Sequence, residues 1–162
     1  GAASVILSEP SATRREMALS IGATHTINPQ EVNAADKVLD ITEGAGADLI
    51  LEATGLPNVV WSDIEKIIWE GRTIDATVAI VARADEHIPL MGEVLQVRHA
   101  NVVGSQGHSG HGNFPNVISS MASGMDVSPI ITKQINLDEV EENCVLLQHE
   151  RNEVKITITN FD

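Results

Sequence analysis

Apolar and polar positions along the chain predict strands alternating with helices. Ser-Val-Ile-Leu-Ser (4–8) is a short apolar run of the kind a buried strand makes. Pro10 and Ser11 then open a helix to about Ile21, with Ser11 as its N-cap and Gly22 just past its C-terminus. Thr26-Ile27 fits a second, very short strand before Asn28-Pro29. Asn33 is placed to cap a helix over 34–43, with Val38, Leu39 and Ile41 inward and Gly44 ending it.

Asp48 to Ala53 is a clearer buried strand, followed by Thr54-Gly55. A helix from about Asn58 to Trp69 carries Val60, Ile64, Ile67 and Ile68 at helical spacing, and Gly71 stops it. Arg72 to Val81 reads as a strand, in which Asp75 is an odd charge that calls for Arg72, Arg83 or water as a partner. Val94 and Leu95 fall on a short helix, and Asn101 to Gly104 is a strand entering the glycine-rich loop 104–112. Val117, Ile118 and Met121 lie on the next helix, which Gly124 ends. Asp138 is placed as the cap of a last helix through about His149, and 154–159 alternates like a half-exposed terminal strand.

No linker, repeat or low-complexity block interrupts this order, so residues 1–162 form one domain on the sequence alone. Strands and helices in alternation imply βαβ units: a three-layer α/β fold, doubly wound, with a mostly parallel sheet and helices on both faces. The continuous apolar runs 49–51 and 78–82 suit parallel strands buried on both sides.

The composition is 43% apolar and 20% charged over 162 residues, which excludes collagen-like, disordered and disulfide-scaffold classes. No stretch approaches the ~18 apolar residues of a membrane span, and the N-terminus lacks a signal-peptide pattern. Gly1 in place of Met points to a processed, cloned or truncated start. The net charge of −13 argues against nucleic acid and anionic membranes as partners. Cys144 is the single cysteine, which excludes an internal disulfide or a Cys-based zinc cluster; on its helix it reads as a buried small hydrophobe. A cytoplasmic setting is the expectation.

Several segments together resemble the coenzyme-binding half of medium-chain, zinc-type alcohol and polyol dehydrogenases. They are VILSEPSATRREMALSIGATHTINP (5–29), GAGADLILEATG (44–55), EGRTI (70–74), GSQGHSGHG (104–112), SSMASGMDVSPIIT (119–132) and the terminal strand. ATVAIVARADEHIPL (76–90) and GSQGHSGHGNFP (104–115) are similar to a sugar-polyol, scyllo-inosose dehydrogenase-like branch. The resemblance implies a Rossmann-like domain that binds NAD. It also implies an incomplete one. The chain starts at what resembles the family's second strand, without the first strand and its G-x-G-x-x-G phosphate turn. Gly44-Ala45-Gly46 is no substitute, because it follows a helix and Leu49 stands where the third glycine would be. The catalytic domain and its zinc ligands are expected upstream, so the chain resembles roughly the last two-fifths of such an enzyme.

The resemblance assigns coenzyme contacts residue by residue. Glu9, after the first strand, matches the acid that accepts hydrogen bonds from the adenosine ribose and repels the 2′-phosphate of NADP. Without the resemblance it is a solvated acid near a helix start. Arg14 matches a basic position near that ribose, or is a surface cation. Thr54 and Gly55 line the adenosine side of the cleft, or merely form a turn. Ala76, Thr77 and Val78 match the strand end beneath the nicotinamide. Ser105 and Gly107 match the loop whose backbone holds the carboxamide. Lys155 matches a basic position that reaches the pyrophosphate, or is an outward strand residue. His108 and His111 form H-x-x-H without a third ligand nearby; a solvated loop is favoured over metal or substrate contact. Gly107-His108-Ser109-Gly110 misses the G-x-S-x-G elbow by one position.

Three functional expectations follow. One is an NAD-binding fragment of a zinc-type dehydrogenase, inactive by itself. Another is a non-catalytic module that dimerises through its sheet edges. A third is a nucleotide-binding protein using the adenosine pocket for another ligand. Loss of the central strand would leave two apolar edges unpaired, inviting rearrangement, exchange or association with the missing piece. The strand near 101–104 is the expected homodimer edge.

Overall fold

The computed structural model describes residues 1–107, 112–150 and 152–161. The chain divides into two compact units, residues 30–109 and residues 1–29 together with 110–162.

The first unit holds β3 (Leu49–Glu52), β4 (Thr77–Ile80) and β5 (Asn101–Gly104), in that order and all parallel. Helix α3 (Pro57–Glu70) joins β3 to β4, and α4 (Gly92–Arg98) joins β4 to β5. Parallel crossovers are right-handed, so two that step in the same direction lay both helices on one face. The core sits there: Trp61, Ile64 and Ile68 from α3 pack on Ala76 and Val78 and on Val94 of α4. Full burial of each large side chain contributes roughly 1.5–3 kcal/mol. The opposite face is open, with Leu49 and Leu51 at 59% and 62% exposure. β3 is therefore buried on one side, where its apolar run predicts burial on both.

Helix α2 (Ala34–Ile41) packs on α3. Its start is the one predicted: Asn33 Oδ1 accepts the Asp36 N–H at 2.8 Å. Two expectations need correction. The strand predicted over 72–81 begins only at Thr77, because Asp75 takes a left-handed φ of 67°. Asp75 is exposed, with its carboxylate 3.6 Å from His99 Nδ1 rather than beside Arg72 or Arg83.

In the second unit β1 (Ile6–Ser8) pairs in parallel with β2 (His25–Ile27) across α1 (Ala12–Ser20). Ser11 caps α1 as predicted, and Gly22 follows it at φ 116°. The same unit carries α5 (Asn113–Ala122), β6 (Ile131–Asn136), α6 (Val140–His149) and β7 (Lys155–Asn160), with β6 parallel to β7. β6 has no counterpart in the sequence reading, because Thr132, Lys133 and Gln134 break its apolar pattern. Asn136, not Asp138, is the cap: its side chain and that of Glu139 form a reciprocal capping box around a 3-10 turn that leads into α6. Cys144 is exposed, which corrects its reading as a buried residue.

Among the described residues, sheets of two, three and two strands result. Among the described residues β1 pairs only with β2, and β3 only with β4, so each keeps one unpaired edge. No described helix is long and apolar enough to cross a membrane.

Candidate functional site

The last residues of three strands stand side by side: Glu52 of β3, Ile80 of β4 and Gly104 of β5 are register partners. A cavity of about 480 Å³ opens at this end of the sheet. Ligands of open α/β sheets bind outside the carboxyl ends of the strands, so this is the expected place for one. Its walls come from the segment after β4 (Val81 to Ala84), from Pro57 at the start of α3, and from Ser105 and Gln106 after β5.

Glu52 organises the turn beneath the cavity. Its Oε1 accepts the Thr54 N–H at 2.8 Å, the Thr54 hydroxyl at 2.5 Å and the Gly55 N–H at 3.2 Å. The Thr54 hydroxyl oxygen in turn accepts the Leu56 N–H at 3.0 Å. Gly55 is required twice over. It lies at φ 70°, and a Cβ there would stand 3.1 Å from the Arg83 carbonyl oxygen. Glu52 is 2% exposed, and its Oε2 is buried without a partner among the described residues. A buried carboxylate costs several kcal/mol unless its oxygens are bonded, so half of this one is well placed and half is not.

A second cluster lies at the end of β1. Glu9 Oε1 accepts the Ser11 N–H at 2.8 Å, and its Oε2 lies 3.8 Å from Arg14 Nη1. Arg14 Nη2 donates to the Glu153 carbonyl at 2.9 Å, tying α1 to the approach to β7. Arg15 Nη1 donates to the Glu9 and Pro10 carbonyls. The Glu9 carboxylate is thus held at a helix start, where the dipole favours it, with one oxygen outside hydrogen-bond range of Arg14.

The other residues singled out in the sequence fall as follows. Thr54 and Gly55 spend their N–H groups on Glu52. Ala76 and Val78 are buried in the core and Thr77 opens β4, at the opposite end of that strand from the cavity. Ser105 lines the cavity, but its N–H is committed to the Ile80 carbonyl at 2.9 Å. Gly107 is exposed at φ 45°. Lys155 is exposed at the start of β7. His108 and His111 lie outside the described residues. No group of three potential metal ligands gathers among the described residues. Sequence reasoning missed Glu52, Arg83 and Gln106. Only Glu52 left a signal, as an acid closing an apolar run.

The zinc-binding dehydrogenase family model matches residues 1–123, and the chain belongs to that family. It is 58% identical over 160 residues to scyllo-inosose 3-dehydrogenase of Thermotoga maritima, covering 99% of this chain and 40% of that protein. A solved alcohol dehydrogenase structure from Thermotoga maritima superposes with a TM-score of 0.94 at 57% identity, over 99% of this chain and 40% of that one. 2R,3R-butanediol dehydrogenase of Bacillus subtilis gives 0.81 at 27% identity, over 99% and 45%. The α/β architecture is that of the Rossmann-like coenzyme-binding domains in these dehydrogenases. The chain spans about two-fifths of the length of the curated relatives it matches.

Proposed function

We propose that this chain is the coenzyme-binding part of an NAD-dependent polyol dehydrogenase of the zinc-type family. The observation that carries the reading is Glu9. It follows the first strand directly, holds one oxygen on the Ser11 N–H and leaves the other 3.8 Å from Arg14 Nη1 as an acceptor. A carboxylate so placed accepts ribose hydroxyls and repels a 2′-phosphate, which selects NAD over NADP. The nicotinamide end is assigned separately to the cavity at the ends of β3, β4 and β5.

When bound, NAD supplies the carbon that takes the hydride. This chain's residues bind and orient: Glu9 the ribose, Ser105 and Gly107 the carboxamide. With the Ser105 N–H already in the sheet, the serine contributes its hydroxyl or carbonyl instead. Lys155 is assigned to the pyrophosphate. The described residues do not fit zinc, so no step is routed through it. The chain alone is assigned binding without turnover of alcohol.

A second reading, a homodimer joined through sheet edges, draws on β5, which pairs only with β4 among the described residues. Calorimetric titration with NAD, and NADP as control, tests the main reading. Micromolar NAD binding with weak NADP binding is expected. A folded sample giving no heat with either nucleotide overturns it and leaves the dimerising module.

A further inference from the structure

Segment 81–91 joins β4 to α4 without regular secondary structure. It supplies Val81, Ala82, Arg83, Ala84, Glu86 and Ile88 to the cavity wall, so its course sets the shape of the cavity. The sheet fixes its first residues: the Val81 and Ala82 N–H groups donate to the Glu52 carbonyl at 2.8 and 3.2 Å. Three contacts then tie it to α3 and the core. Asn58 Nδ2 donates to Glu86 Oε2 at 2.6 Å. Ile88 packs against the core cluster of Trp61, Ile64 and Ile68. Glu65 Oε1 accepts the Met91 N–H at 2.6 Å.

These ties differ in kind. Asn58 and Glu86 are both exposed, so water competes for their bond. Glu65 is half-buried, and its bonded oxygen also accepts the Trp61 indole N–H at 3.1 Å. Trp61 precedes it by one helical turn and is 1% exposed, so the carboxylate is held from the core side. A charged acceptor makes the stronger bond to an amide. Met91 is the N-cap of α4 and its side chain makes no cap bond. Glu65 does from a neighbouring helix what the glutamate of a capping box does within one: it takes the N-cap N–H. We propose that Glu65 is a positioning residue for the cavity. Held by the buried Trp61 indole, it fixes Met91 and so the far end of segment 81–91, which sets the wall that the coenzyme meets. Only that last step rests on the coenzyme reading.

The test uses the whole chain, with NMR for the wall and calorimetry for NAD. Glu65→Ala removes the acceptor, and Glu65→Gln keeps a neutral one. In Glu65→Ala the Met91 amide should exchange with solvent at least about tenfold faster, the loss of a bond to a charged acceptor. The Trp61 indole N–H signal should move, and the Ala84, Glu86 and Ile88 amide signals should shift toward random-coil positions. NAD should bind at least about threefold more weakly. Glu65→Gln should recover most of each change. Ile67→Val controls for stability alone, because Ile67 is buried on the same helix but lies outside the cluster that Ile88 packs against. It should lower the melting temperature and leave the wall signals and NAD affinity as they are. The proposal is overturned if Glu65→Ala leaves Met91 exchange or the wall signals unchanged. It is also overturned if the wall moves while NAD affinity holds, or if Ile67→Val weakens NAD as much. A wild-type chain silent toward NAD would sink the coenzyme reading alone, and the NMR result would then decide the placement of the wall. NAD binding with the wall unmoved in Glu65→Ala would sink this inference alone.

Discussion

Leu51 and Glu52 are neighbours on β3 with burial opposite to their chemistry: the leucine is 62% exposed and the glutamate 2%. Successive strand residues face opposite sides, and both crossover helices of this sheet lie on the glutamate's side. Leu49, two residues back, shares the open face at 59% exposure. Exposed apolar residues on an unpaired edge strand promote association, not folding. The double substitution Leu49→Thr, Leu51→Thr should therefore change the urea unfolding free energy by no more than about 1 kcal/mol. It should also lower self-association in sedimentation velocity. A large stability loss with unchanged association would show that this face is covered in solution.

Gly46 and Gly71 meet backbone to backbone. A Cβ on Gly71 would stand 2.5 Å from the Ile67 carbonyl oxygen and 3.0 Å from Gly46 Cα. Neither neighbour is a flexible side chain that could swing away. Gly71→Ala should cost about 2–3 kcal/mol through forced backbone movement, read from chemical denaturation. Gly22→Ala is a useful contrast. Gly22 has open space around it but a φ of 116°, so its penalty comes from conformation alone.

Trp61 is 1% exposed and packs between the sheet and α4, with its Nε1–H donating to Glu65 Oε1 at 3.1 Å. Trp61→Ala should lose about 3–5 kcal/mol, the range for large aromatic truncations. Trp61→Phe keeps most of the volume and should lose less. Trp69, 43% exposed, provides an internal fluorescence reference: quenching by iodide should fall on Trp69 and spare Trp61.

Much of this fold was legible in the sequence, and the exceptions have physical causes. Ser11 and Asn33 announce their helices because a short polar side chain beside an apolar helical period has one economical use, the cap. Gly22 and Gly44 end them through positive φ. β6 was hidden because Thr-Lys-Gln sits in its middle, where Lys133 reaches the buried Asn143 at 2.7 Å. The early end of the strand predicted from Arg72 was hidden because a left-handed Asp75 has no signature in an apolar window. In the candidate site, Glu9 and Ser105 were singled out through resemblance, not through pattern. The role of Glu52 needed coordinates, since periodicity cannot tell which face of a lone sheet is covered.

Lys66 of α3 reaches Asp36 of α2 at 2.5 Å. The hydrogen bond to Asp36 raises the Lys66 pKa above the ordinary lysine value, aided by the charges of Asp36, Glu70 and Asp63. A raised folded pKa stabilises the fold fully below the unfolded lysine value, and this contribution fades as pH rises through the folded value. The melting temperature of wild type should therefore exceed that of Lys66→Met by a constant margin near neutral pH. The margin should close at strongly alkaline pH, and a margin that widens there would refute the pairing.

Glu9 gives the sharpest test of coenzyme choice, because removing it changes two things at once. Glu9→Ala deletes the acceptor assigned to the ribose hydroxyls, and it releases Arg14, whose Nη1 stands 3.8 Å from the carboxylate. Arg14 keeps its place through the Glu153 carbonyl, and Arg15 holds the turn through the Glu9 and Pro10 carbonyls, which survive the substitution. The backbone should therefore stay in position, with a melting loss limited to that of the Ser11 N–H bond, about 1 kcal/mol. NAD affinity should fall by about tenfold, the worth of a charge-assisted hydrogen bond, while NADP affinity rises. Adding Arg14→Ala should reverse the NADP gain without restoring NAD, since a guanidinium beside a 2′-phosphate is the only new attraction created. Calorimetry on the two variants checks each step. Equal losses for both nucleotides in Glu9→Ala would mean that Glu9 merely supports the turn, and that whatever nucleotide preference the chain has arises elsewhere.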